Sequence, residues 1–173
     1  MVDTDEGFYK SALEEMRKQE PDLNLAYSLL EQADEAGDVR ATFALATWYL
    51  HGRHVGANKS RAFDLLQRCA EEKYPPGLYD LAVAYEEGDL TKRDLGRAFV
   101  LYLEAALRGH RQAVEEIARC YFYGIGVEQD RKLAAVWYCR AKELGVGEDD
   151  DPLDEAAAAA FGDGDGDSQP DDE

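Results

Sequence analysis

Cysteine, methionine, tryptophan, histidine and proline are all scarce in this chain of 173 residues, at 3, 2, 2, 3 and 5. Three cysteines, Cys69, Cys120 and Cys139, are too few and too odd in number for a disulfide framework. Reduced, buried thiols in a cytoplasmic protein are therefore the expectation. No apolar run reaches the roughly 18 residues that a membrane-spanning helix needs, so no membrane attachment is expected. Met1 to Glu15 opens acidic, without a basic stretch leading into an apolar one, so no secretory signal is expected either. At 45% hydrophobic and 32% charged, the chain is too apolar to be disordered throughout. Its length suits one compact domain or a short repeat array.

Positive charge is also sparse: 19 Lys and Arg face 37 Asp and Glu, a net charge of −18. The excess is unevenly placed. Gly147 to Glu173 holds 12 acidic residues and no basic one, whereas the other 146 residues carry 25 acidic and 19 basic, a balance of −6. A phosphate backbone would be repelled by such a chain, which excludes nucleic acid as an expected partner.

What the chain does have is a period. Segments 39–74, 75–110 and 111–146 align at a spacing of 36 without a gap. Leu45, Leu81 and Ile117 fall in register, as do Ala46, Ala82 and Ala118, Tyr49, Tyr85 and Tyr121, and Gly52, Gly88 and Gly124. The second halves keep step through Asn58, Asp94 and Asp130, then Ala62, Ala98 and Ala134, then Cys69, Ala105 and Ala141. One period further back stand Asp22, Ala26, Ala33 and Gly37, so residues 1–38 read as a degenerate N-terminal helix pair. A period of this size marks a stacked repeat architecture.

Each block reads as two helices. Ala113, Ile117, Ala118 and Tyr121 lie on one helix face, and Gly124 ends that helix because it accepts a left-handed backbone cheaply. After a loop over Ile125 to Gln129, Asp130 is the N-cap of a second helix carrying Ala134, Trp137, Tyr138 and Ala141, stopped by Gly145. The small residues let antiparallel helices approach closely. No strand-like alternation appears, so the fold class is all-α. Residues 147–161, with Asp151-Pro152 before Leu153 to Phe161, suit a helix capping the last repeat, and 162–173 read as a disordered acidic tail.

The pattern Ala-x3-Leu-Ala-x2-Tyr-x2-Gly, then Asp-x3-Ala, then Ala-x3-Gly resembles the Sel1-like repeat family, a relative of the tetratricopeptide repeats. Ala113 to Gly145 is the clearest copy, with Tyr121 to Val127 and Asp130 close to the family loop. The loops Gly52 to Gly56 and Gly88 to Thr91 depart from it, and the N-terminal unit has Leu13 and Met16 where Tyr and Gly would stand. The resemblance covers residues 5–146. It implies a right-handed α-solenoid that binds other proteins, with no catalytic residue and no named partner.

Chemistry is thinly represented. Asp163-Gly-Asp-Gly-Asp167 looks like a calcium loop, but loop position six is Ser168 rather than Gly and position twelve falls beyond Glu173. His51 and His54 straddle the helix-ending Gly52, with no third ligand spaced to join them, so no metal is expected. His110 lies at a repeat junction and reads as a surface side chain. Cys69 replaces a helix-crossing alanine and should be buried and inert; Cys120 and Cys139 share a repeat without redox spacing. No GxSxG, P-loop, HExxH or Ser-x-x-Lys pattern occurs, so neither enzymatic activity nor a cofactor is expected.

A partner would then meet a surface. In the first helix of each block, the face opposite the Ala, Leu and Tyr positions comprises Arg40, Phe43, Ala44, Thr47, Leu50 and His51 in one block. The next block places Pro76, Tyr79, Asp80, Val83, Glu86 and Glu87 there, and the third Gln112, Glu115, Glu116, Arg119, Phe122 and Tyr123. By the family resemblance this is the concave face. It mixes large rings (Phe43, Tyr79, Phe122, Tyr123) with acids (Asp80, Glu86, Glu87, Glu115, Glu116), alongside Thr47, His51, Val83 and Arg119. Rings anchor interfaces and charges steer encounter; Phe43 and Tyr79 could equally belong to inter-repeat core, and the glutamates to a merely solvated face.

The leading functional reading is a non-enzymatic, cytoplasmic, bacterial adaptor that binds another protein, with a basic-surfaced protein as one candidate partner. The alternative is an immunity or inhibitor protein that neutralises a basic toxin such as a nuclease. A hydrolase is the third class, and it would require a deep pocket with perturbed titratable groups. The sequence leaves the oligomeric state open.

Overall fold

The structure is a computed structural model in which residues 4–146 are described. The expected cap helix, the acidic tail and the Asp163–Asp167 loop lie outside them. The described residues form eight helices and no strand, each helix 13 residues long. The chain divides into two compact units, Met1–Asp94 and Leu95–Glu173. The first holds α1 (Thr4–Met16), α2 (Leu23–Glu35), α3 (Val39–His51), α4 (Lys59–Glu71) and α5 (Pro75–Glu87). The second holds α6 (Leu95–Leu107), α7 (Arg111–Tyr123) and α8 (Arg131–Glu143).

Local chemistry sets the helix ends. Asp22 accepts hydrogen bonds from the backbone N–H groups of Asn24 and Leu25, Asn58 from Arg61, and Asp130 from Lys132 and Leu133, satisfying donors that the first turn leaves unpaired. Gly52, Gly88 and Gly124 close the first helices of the three blocks in the left-handed region, at φ of +65°, +74° and +70°. A side chain at those positions would strain the backbone.

Packing follows the sequence order of the helices. Within the first unit α1 packs on α2, α2 on α3, α3 on α4 and α4 on α5; within the second, α6 packs on α7 and α7 on α8. The crossings are lined by small residues: Ala26, Ala33, Ala41, Ala62, Ala113, Ala134 and Ala141 are fully buried. Larger side chains fill the space beside them, among them Leu30, Leu65, Leu66 and Leu78 in the first unit and Tyr102, Ile117 and Tyr138 in the second.

Consecutive repeats are also joined by ring pairs 22 residues apart. The hydroxyls of Tyr27 and Tyr49 share a hydrogen bond of 2.7 Å, Phe63 meets Tyr85 edge-on at 5.9 Å, and Phe99 meets Tyr121 edge-on at 5.4 Å. The Tyr repeated in each first helix is therefore the receiving half of a contact donated by the preceding second helix. Polar ties add to this: Asp34 of α2 accepts from Thr42 of α3 and from both terminal nitrogens of Arg68 of α4, at 2.9 and 3.1 Å.

Candidate functional site

The faces singled out in the sequence lie partly in one unit and partly in the other. In the first unit, the ends of α3 and α5 and the turn after α5 enclose a pocket of about 210 Å³. Leu50 and His51 come from α3, Leu66 from α4, Asp80, Val83, Ala84 and Glu87 from α5, and Asp89 and Leu90 from the turn. Four residues read as partner-facing (His51, Asp80, Val83 and Glu87) thus share one pocket. His51 from the last turn of α3 and Asp80 of α5 thus line the same pocket despite their separation in sequence.

Asp80 is the electrostatic centre of this pocket. Burial pushes its carboxyl up from 3.8 to about 6, and the attraction of His51 offsets only part of that. Among the described residues its carboxylate accepts no hydrogen bond and forms no ion pair. Asp89 is different, because Lys59 of α4 lies 3.3 Å from it. The walls are apolar, supplied by Leu50, Leu66, Val83, Ala84 and Leu90.

Phe43 and Tyr79, also on these faces, are half-buried; Phe43 packs edge-on against Tyr74 at 5.6 Å. Thr47 is half-buried and donates to the carbonyl of Ala44. Glu86 is half-buried and Glu87 exposed.

In the second unit, Arg119 and Glu116 of α7 form an ion pair at 2.7 Å, and both are half-buried, as is Glu115. Phe122 packs against the cluster of Ala118, Ala134 and Tyr138, with the Arg131 guanidinium 5.5 Å from its ring centre. Tyr123 touches Phe122 edge-on at 4.7 Å and is 57% exposed. A groove of about 510 Å³ that the first-helix rule did not anticipate lies between α6, α7 and α8, with Val136 and Trp137 on its wall and Arg111 and Arg140 at its edge. Leu107, 73% exposed, stands at its rim.

The other sequence candidates separate. His54 turns away from His51 to lie 5.8 Å from the Tyr27 ring and 5.9 Å from Trp48. Among the described residues no group of three His, Cys, Asp or Glu is placed to hold a metal ion. Cys69 is buried and its thiol is pushed up to about 12, chiefly by desolvation. Cys120 is buried and Cys139 exposed, and among the described residues no cysteine forms a disulfide. His110 corrects the surface reading: it is half-buried at the start of α7, and burial holds its imidazole below the ordinary 6.5. No helix among the described residues is long and apolar enough to cross a membrane.

A sequence model of the Sel1 repeat matches residues 17–38, 39–74, 75–110 and 112–146. The chain belongs to the Sel1 repeat family. Chitin synthase regulatory factor 3 of Schizosaccharomyces pombe is 31% identical to this Sel1 repeat chain over 136 residues, covering 74% of it and 14% of that protein. Chitin synthase regulatory factor 2 of the same yeast is 32% identical over 140 residues, covering 77% and 25%. The chain thus spans a quarter or less of these curated relatives.

Three solved structures share the helical solenoid fold. A protective antigen of uropathogenic Escherichia coli superimposes with a TM-score of 0.77 at 26% identity, over 82% of this chain and 31% of that one. A Sel1 repeat protein from Oxalobacter formigenes gives 0.66 at 31% identity, over 75% and 95%. An immunity protein from Pseudomonas aeruginosa gives 0.61 at 21% identity, over 84% and 55%, a likeness of fold alone.

Proposed function

We propose that this Sel1 repeat chain is a non-enzymatic scaffold that binds another protein through the exposed faces of its first helices. In the first unit the contact residues are Phe43, Thr47, His51, Tyr79, Asp80, Val83, Glu86 and Glu87; in the second they are Glu115, Glu116, Arg119, Phe122 and Tyr123. The observation that carries the reading is the pocket in which His51, Asp80, Val83 and Glu87 converge. Its lining joins carboxylates and one imidazole to apolar walls, which supports contact with the charged and apolar groups of a protein partner. The cytoplasm is the proposed compartment, supported by cysteines that form no disulfide among the described residues, Cys139 being exposed.

The test is comparative capture from the native host with wild type, Tyr79→Ala and Glu87→Lys proteins of verified fold. A specific partner held by wild type and lost from both variants is the expected result. Partners retained equally by all three proteins would overturn the reading.

A second reading, inhibition of a basic protein such as a nuclease, is favoured by the acidic pocket, where Asp80, Glu87 and Asp89 gather. It requires the captured partner to be basic and to lose its activity in the complex. A partner that keeps full activity when bound would leave the scaffold reading alone.

A further inference from the structure

A carboxylate withdrawn from water without hydrogen-bond donors costs free energy, and a protein ordinarily supplies such a group with a partner. Asp80 has none among the described residues, yet it faces a pocket open to solvent rather than closed core. We propose that this pocket anchors one basic side chain of the protein partner, an arginine or lysine whose stem lies against Leu50, Leu66 and Leu90 and whose charged head meets Asp80. The proposal rests on the scaffold reading and names the chemistry of its first-unit contact.

Size and lining both favour this occupant. At about 210 Å³ and open to solvent, the pocket has room for a long side chain. The apolar walls suit a hydrocarbon stem that buries its length and carries its charge at the tip. A bare metal ion would leave those walls unused and would find no set of three ligating groups among the described residues. Among the described residues no lysine or arginine pairs with Asp80: Lys59 goes to Asp89, and the Asp38 carboxylate takes Arg40 at 2.7 Å.

The contact should depend on pH through Asp80, which burial pushes up and the attraction of His51 pulls down in part. Facing it are His51 from α3, Glu87 from α5 and the Asp89–Lys59 pair from the following turn and α4. The Cys69 thiol of α4, near enough to feel Asp80, stays protonated. With Asp80 titrating at about 6, acidification neutralises it and removes its attraction for an incoming cation.

The experiment is an NMR titration of the full chain with two peptides, acetyl-Gly-Gly-Arg-Gly-Gly-amide and its citrulline isostere. The expected result is amide shifts at His51, Asp80, Val83 and Leu90, with a Kd on the order of 1 mM for the arginine peptide. Citrulline should bind at least about tenfold more weakly, since a charge-assisted contact is lost. Asp80→Asn, which keeps the pocket's shape, should abolish the preference, and lowering the pH to about 5 should weaken arginine binding by up to about tenfold. Equal binding of the two peptides, shifts confined to residues outside the pocket, or an arginine preference that survives Asp80→Asn would each overturn the proposal. If Tyr79→Ala still releases a partner while the peptides bind equally, the anchor fails and the scaffold reading stands. If the peptides discriminate but no partner depends on this face, the scaffold reading fails and takes the partner anchor with it, leaving only a pocket that prefers a basic side chain.

Discussion

Gly77 of α5 stands so close to Cys69 of α4 that a methyl group on it would lie 2.3 Å from the Cys69 Cβ and 3.4 Å from its Sγ. At the positions one period away the pairs are Ala33 with Ala41 and Ala105 with Ala113. The larger cysteine on one helix is thus matched by the smallest residue on the next. Gly77→Ala should destabilise the fold by about 1–3 kcal/mol through overpacking. In a Cys69→Gly background most of that loss should vanish, a coupling above about 1 kcal/mol in a double-mutant cycle of urea midpoints. Additive effects would mean that the two residues do not share the space.

The same burial should protect Cys69 from chemistry. Its thiol, raised to about 12, carries almost no thiolate at neutral pH, and Cys120 is also buried, whereas Cys139 is exposed. Brief treatment of the native protein with iodoacetamide, read by mass spectrometry, should label Cys139 first, and all three only in denaturant. Rapid native labelling of Cys69 would contradict the packing of α4 on α5.

Lys73 ends α4 with φ of +56°, in the left-handed region. The equivalent positions in the other repeats are Gly37, Gly109 and Gly145, with φ of +91°, +92° and +66°. Lys73→Gly should therefore raise stability by about 0.5–1 kcal/mol, the relief of strain outweighing glycine's greater freedom in the unfolded chain. A higher urea midpoint with an unchanged slope is the expected readout, and a lower midpoint would count against it.

Asp80 should make stability fall as pH rises. Its folded value of about 6 lies above the ordinary 3.8, so between the two the folded state holds a proton that the unfolded state has lost. The cost is absent below the unfolded value and complete above the folded one. Asp80→Asn should be more stable than wild type at about pH 7 by about 1–2 kcal/mol, after discounting for solvent in the pocket, with no advantage below about pH 4. A variant less stable at both pH values would show that the carboxylate makes a stabilising contact.

The Phe99–Tyr121 pair should carry a measurable share of repeat stacking. Phe99 is 9% exposed, so Phe99→Ala should cost about 3 kcal/mol by transfer and cavity terms. Combined with Tyr121→Leu it should fall short of additivity by about 0.5–1.5 kcal/mol, the worth of the edge-on contact. Full additivity would assign the cost of Phe99→Ala to its other neighbours.

The period of 36, the all-helical class and the helix termini were legible in the sequence because each depends on local chemistry. Gly124 tolerates a left-handed backbone and Asp130 caps its own helix wherever the chain goes afterwards. The face of each first helix was legible for the same reason, since its 3.6-residue turn fixes which side chains point together. The pocket needed more. Leu66 comes from a second helix, where it reads as core, and Leu90 from a turn that departs from the family loop, so no pattern along one helix includes them. Tertiary packing alone decided that Asp80 would be half-buried without a donor among the described residues, that His110 would be half-buried, and that aromatic residues 22 apart would meet across consecutive repeats. Periodicity specifies which side of a helix a residue occupies; its charge state and contacts depend on how closely other segments approach, and the volumes of residues such as Gly77 and Cys69 set that distance.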